Sequence, residues 1–153
     1  MQATQEYKYL PVRPSRLDAT WVEAHYAGLI ARCPGASAAK QPDEWLELFA
    51  EWNAVMGYVG GEQARRYYAT MKDLTDKAAE DLQREMREEI LPTAEVGDAA
   101  MTAAFIESQH ADAVGARYGE QILAVLRVLQ GPVAPVNKDL RVKANTLASD
   151  YDK

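Results

Sequence analysis

Two histidines and one cysteine are the whole supply of imidazole and thiol groups in this chain. His110 closes Glu107-Ser108-Gln109-His110, the Glu-x-x-His step with which di-iron helical bundles set two ligands on one side of a helix. Such a site needs a second Glu-x-x-His and two further inward glutamates. The other histidine stands in Glu23-Ala24-His25, where the spacing is wrong. His110 is more simply a surface histidine near a helix end, and a di-iron enzyme would have to bind iron stoichiometrically. A zinc peptidase helix needs His-Glu-x-x-His, so that two imidazoles share a face and the glutamate activates water. Here Tyr26 follows His25 and Ala111 follows His110, and the motif is missing. Cys33 sits beside Pro34 with no histidine nearby in sequence, a poor setting for a nucleophilic thiolate. Gly57-Tyr58-Val59-Gly60-Gly61 follows a helical pattern rather than a strand and lacks the Lys-Ser/Thr of a phosphate loop. The expectation is that the chain holds no catalytic, cofactor-binding or metal-binding residue and no cofactor of its own.

Composition bounds what else is possible. The chain has 153 residues, 48% hydrophobic and 26% charged, which is ordinary for one globular domain. Its net charge is −6, against the clustered Lys/Arg surplus that nucleic acid requires. The acidic run from Asp76 to Glu89 is interrupted by Arg84 and Arg87 and reads as a solvated face. No apolar run approaches the roughly 20 residues that cross a bilayer; the longest clean one, Ile122 to Leu126, ends at Arg127. Met1 to Arg16 lacks the apolar stretch of a secretory signal. A single cysteine forms no disulfide within the chain, which favours a reducing compartment. A soluble, cytoplasmic protein without nucleic-acid or membrane partners is expected.

The elements that would position any site are helices. Alanine occurs 26 times, helix formers fill the interior segments, and no stretch alternates with period two. The fold class is all-α, an antiparallel long-helix bundle or hairpin of about five to six helices. Residues 1–15 form an extended leader with Pro11 and Pro14, and 16–153 the helical domain. Ser15 is expected to cap a first helix with Leu17, Trp21, Ala24, Gly28 and Leu29 on one stripe, closed by a loop from Cys33 to Ala39. Asp43 then caps a second helix with Trp45, Leu48, Phe49, Trp52, Val55, Met56 and Val59 at 3–4 spacing. Ala64, Tyr67, Tyr68 and Met71 are expected to continue its phase past Gly60-Gly61, as far as about Lys72.

A third helix should start near Asp73 or Thr75, with a Glu80, Arg84, Glu88 ladder opposite a face of Leu74, Ala78, Leu82, Met86 and Ile90. Pro92 either ends it at Leu91 or bends it, and one long bent element reaching about Ser108 is the expectation. Short helices over 111–118 and 120–130 flank Gly119. A loop around Gly131-Pro132 precedes a last helix from Asn137 or Asp139, still in phase at Lys153, the mark of a fragment.

The order of these pieces resembles the N-terminal region of oligoendopeptidase F-type zinc metallopeptidases, relatives of thimet oligopeptidase. The residues that carry the likeness are Tyr9 and Arg13-Pro14, the long helix from Trp45 to Met71, Glu89-Ile90-Leu91-Pro92, and Arg117-Tyr118-Gly119. The closing run from Asn145 to Lys153 is similar to an Asn-x-Leu-x-x-Glu-Tyr-x-Lys pattern, with Asp150 where that pattern has glutamate. The resemblance implies the N-terminal lobe of a clam-like helical peptidase that hydrolyses short peptides with zinc. It carries over no site residue, because the zinc-binding positions have no counterpart here. The implied partner is the missing catalytic lobe, or a homodimer partner covering the same apolar surface. The alternative is an independent helical interaction module that binds a partner helix through Trp45, Trp52 and their neighbours.

Overall fold

The computed structural model describes residues 14–33, 42–108 and 110–130, with 140, 142–144, 146 and 147 of a further helical stretch. Among these residues the chain is all-helical, with no strand. The elements are α1 (Ala19–Arg32), α2 (Pro42–Lys72), α3 (Lys77–Glu85), a π-helical turn (Met86–Ile90), α4 (Leu91–Glu107), α5 (Ala111–Tyr118) and α6 (Gln121–Gln130). The expected leader over 1–13, the tip of the loop after Cys33, the loop around Pro132 and the sequence run from 148 onward lie outside the described residues.

Helix α1 starts later than Ser15 would place it. Its N-cap is Asp18, whose Oδ1 accepts from the Trp21 N–H at 2.8 Å. Leu17 is already buried before the cap, so the chain is anchored before it turns helical. The buried stripe is Val22, Tyr26 and Leu29 rather than the expected Trp21, Ala24 and Gly28; Ala24 and Gly28 are exposed. This choice of face sets Tyr26 against α4 at Gly97, where a Cβ would overlap the phenol ring. Glycine is required there because α1 and α4 meet backbone to ring.

Helix α2 runs 31 residues without interruption through Gly60-Gly61. Its first half forms the core largely as the 3–4 spacing predicts: Trp45, Leu48, Phe49, Trp52, Val55 and Val59 are buried, and Met56, expected among them, is half-buried against the core. Phe105 of α4 is the hub of the aromatic packing. It stacks on Trp52 at 5.6 Å between centroids and meets Phe49 and Trp45 edge-on at 5.2 and 4.8 Å. Burial of such rings contributes about 2–3 kcal/mol each, with roughly another 1 kcal/mol per aromatic pair.

The turn between α2 and α3 is closed by Asp73, which accepts from the Thr75 N–H and hydroxyl at 2.9 and 2.7 Å. Asp76 then caps α3 by accepting from the N–H groups of Ala78 and Ala79. Asp73 and Thr75 thus make the turn instead of starting the helix. The expected ladder of Glu80, Arg84 and Glu88 is replaced by i,i+3 pairs, Lys77 with Glu80 and Arg84 with Asp81, each at 2.7 Å. The face toward α2 holds Ala79 and Gln83, while Leu74, Ala78 and Leu82 are exposed.

Pro92 does not end the helix, in keeping with one long element. A proline ring presses on the carbonyl four residues back, here that of Glu88, and leaves it without a donor. The chain answers with the π turn immediately upstream, in which the Leu91 N–H reaches back to Met86 O, and helix continues to Glu107. Gly119, at φ 97, lets the chain reverse between α5 and α6. Leu126 of α6 then enters the core.

Candidate functional site

The residues that drew attention as possible ligands are not brought together. Glu107 is the last residue of α4, Ser108 leaves the helix with ψ 146, and His110 precedes α5, so Glu107 and His110 share no helical face. His25 stacks on Trp21 at 4.1 Å, and partial burial holds its pKa below the ordinary imidazole value against the opposing pull of Glu51. Cys33 is half-buried, with Sγ 3.5 Å from Leu29 O and 3.8 Å from Met101 Sδ, a packing role. Among the described residues no group of three His, Cys, Asp or Glu side chains is arranged to hold a metal ion. Trp45 and Trp52, expected to bind a partner helix under the module reading, are instead buried in the core.

Two polar nodes that local sequence patterns did not reveal are built inside the fold. In the first, Asp98 of α4 accepts from the Tyr26 hydroxyl of α1 and from the Trp52 indole N–H of α2 at 2.7 Å. Removal from water raises the Asp98 pKa above the usual carboxylate value, although both hydrogen bonds pull the other way. Burial and the nearby Asp98 together push the Tyr26 phenol upward, so it stays protonated and donates. The single sequence signal for this node is that Asp98 is the lone charge between Val96 and Ile106. With both donors supplied by the core, the carboxyl is committed to fixing α1, α2 and α4 on one another.

The second node is Arg66, on α2 and only 5% exposed. Its guanidinium donates to Leu17 O at 2.7 Å, Leu82 O at 3.0 Å and Glu85 Oε2 at 3.0 Å, with Glu62 Oε1 at 3.4 Å. Arg16 reaches Glu85 Oε1 from outside at 2.8 Å. The planar fork of arginine serves the chain before α1, helix α2 and helix α3 at once. It too is saturated.

What remains open to a partner is the face of α2 turned away from both nodes. From Val59 the buried stripe passes in phase to Arg66, seven residues on. The apolar side chains of the second half lie off that phase, at Tyr67, Tyr68 and Met71, which are 56%, 72% and 57% exposed. The expectation that they continue the buried stripe is therefore corrected: they line the opposite flank, near the exposed Leu74 at the hairpin turn. No family model, curated protein or solved structure matches the chain.

Proposed function

We propose that this chain is a helical protein-interaction module that docks its partner on the outward face of the α2–α3 hairpin. The observation that carries the reading is the phase change within α2: the large apolar side chains of its first half serve the core, whereas Tyr67, Tyr68 and Met71 of its second half face solvent. Tyrosine and methionine are among the residue types enriched at protein interfaces, and a contiguous apolar face on a soluble protein marks a contact site. The two saturated nodes beneath it would hold that face rigid. The test is the double substitution Tyr67→Ser/Tyr68→Ser. Folding stability should change by no more than about 0.5 kcal/mol, while binding of an apolar fluorescent dye falls to a small fraction. A stability loss of about 2 kcal/mol or more would mean that the rings are packed within the chain, and the reading would fail.

A second reading, the N-terminal lobe of a clam-like zinc peptidase, is favoured by one feature. Glu89-Ile90-Leu91-Pro92 runs through an uninterrupted helical stretch, as the resemblance implies. On that reading the same α2 face would meet the missing catalytic lobe, and zinc would be held by residues of that lobe.

A further inference from the structure

We infer that the partner on this face is a second copy of the chain, docked with its α2 antiparallel to the first; the inference rests on the interaction-module reading. The exposed strip of α2 is graded in size along its length. Tyr67, Tyr68 and Met71 crowd its C-terminal part. Its middle is made of Gly57, Gly60 and Gly61, each with nothing within 4 Å of where a Cβ would stand. Glycine inside a helix is less favourable than alanine by about 1 kcal/mol, and no close approach within the chain accounts for these. Turned end for end, a second α2 lays Tyr68 over Gly57 and Met71 over Ala54. Gly61 then meets Ala64 near the two-fold axis, where the backbones come closest. Large side chains enter the gaps left by small ones on both sides of the contact, the self-complementary form of a two-fold interface. A parallel alignment would set ring against ring and leave the glycines facing one another across a gap.

Charge selects the same orientation. From Asn53 to Met71 the strip itself carries no charged side chain. One flank of it holds Glu47 and Glu51 in the first half of α2 and Arg65 and Lys72 in the second; within the chain Glu51 also pairs with Arg32 of α1 and Arg65 with Glu62. A two-fold axis across the strip sets this flank against its own reverse, and in the register that lays Tyr68 over Gly57 the Lys72 of each copy comes level with Asn53 of the other, two residues past Glu51. The parallel arrangement would place like charge on like. The occupant is thus a surface whose sizes and charges both run opposite to those of α2, and α2 reversed is such a surface.

Sedimentation velocity of the full chain across the micromolar range is the test, with three variants alongside. The wild-type chain should dimerise. Gly57→Leu, which meets open space in the monomer, should fold with an unchanged or higher melting temperature and remain monomeric over that range. Lys72→Glu should weaken the dimer roughly tenfold at low salt, by opposing like charges twice across the axis. Adding Glu51→Lys to it should restore part of the loss, a rescue that no unrelated partner would produce. A wild-type chain that stays monomeric overturns self-pairing, as does a dimer indifferent to both Gly57→Leu and Lys72→Glu. Either result leaves the module reading to stand or fall on the dye and stability measurement of Tyr67→Ser/Tyr68→Ser.

Discussion

Residues 42–59 and 60–72 belong to one unbroken helix, yet they serve different ends. The first half places Trp45, Leu48, Trp52 and Val55 in the core. The second half sends a single side chain inward, that of Arg66, and turns its tyrosines outward. The first half is richer in apolar residues, but content alone does not explain why the tyrosines of the second face outward. The difference lies in phase relative to the neighbouring elements: α4 and α5 cover the first half, whereas α3 lies along the second and meets it through a cation. The comparison teaches that an amphipathic helix reports that some face will be buried, without reporting whether the covering comes from its own chain.

The sharpest way to break this contrast is to remove the ring of α4 that packs on the first half and the two rings exposed on the second. Phe105→Ala removes the ring against which Trp45, Phe49 and Trp52 are arranged, and chemical denaturation should register a loss of about 3–5 kcal/mol. Taken with the near-neutral change expected for Tyr67→Ser/Tyr68→Ser, this would separate the half of α2 that is packed for folding from the half that is free for contact. Similar losses in both halves would erase the distinction.

Next in size is the node that attaches the second half. Arg66→Met keeps much of the side-chain volume but strips Leu17 O and Leu82 O of their donor and leaves Glu85 with the outer Arg16 alone. Removing one partner of a buried pair costs about 3 kcal/mol, and amide exchange should quicken first in α3 and the second half of α2. Arg16→Ala, which removes a mostly exposed partner of the same glutamate, should cost less than about 1 kcal/mol. Equal losses from the two arginines would show that the buried fork has no special part in fastening α3.

Where the pattern was legible, one element had one apolar stripe to offer. The first half of α2 is such a case, since its Trp, Leu, Phe and Val side chains stand out from a polar remainder. Helix α1 is less legible because several of its faces are comparably apolar, and the face chosen is the one that lets Tyr26 reach Asp98. In α3 the hydrophobic pattern favoured Leu82, whereas Gln83 is the side chain that is buried. At Pro92 the sequence leaves one bent helix and two separate helices both open, because the π turn that permits continuity has no local signal. Both polar nodes join residues dozens of positions apart, and such distances carry no periodic signal. The lone carboxylate in the apolar run from Val96 to Ile106 was the one local clue.

The smallest effect concerns that carboxylate and would show that the first half of α2 is held by a neutralisable group. Burial raises the Asp98 pKa in the folded chain above its ordinary value of about 3.9. Between these two values the folded state binds more protons than the unfolded state, so stability must decline as pH rises. The contribution of Asp98 is fully present below the unfolded pKa and is lost as pH climbs through the folded one. Asp98→Asn retains an oxygen to accept from Tyr26 and Trp52 but has no proton to lose. Denaturation midpoints measured from pH 4 to neutrality should therefore draw apart, with the variant gaining on the wild-type chain as pH increases. A wild-type chain that gains on the variant over that interval would mean that the two donors outweigh desolvation, and that Asp98 anchors α1 and α2 as a stabilised anion.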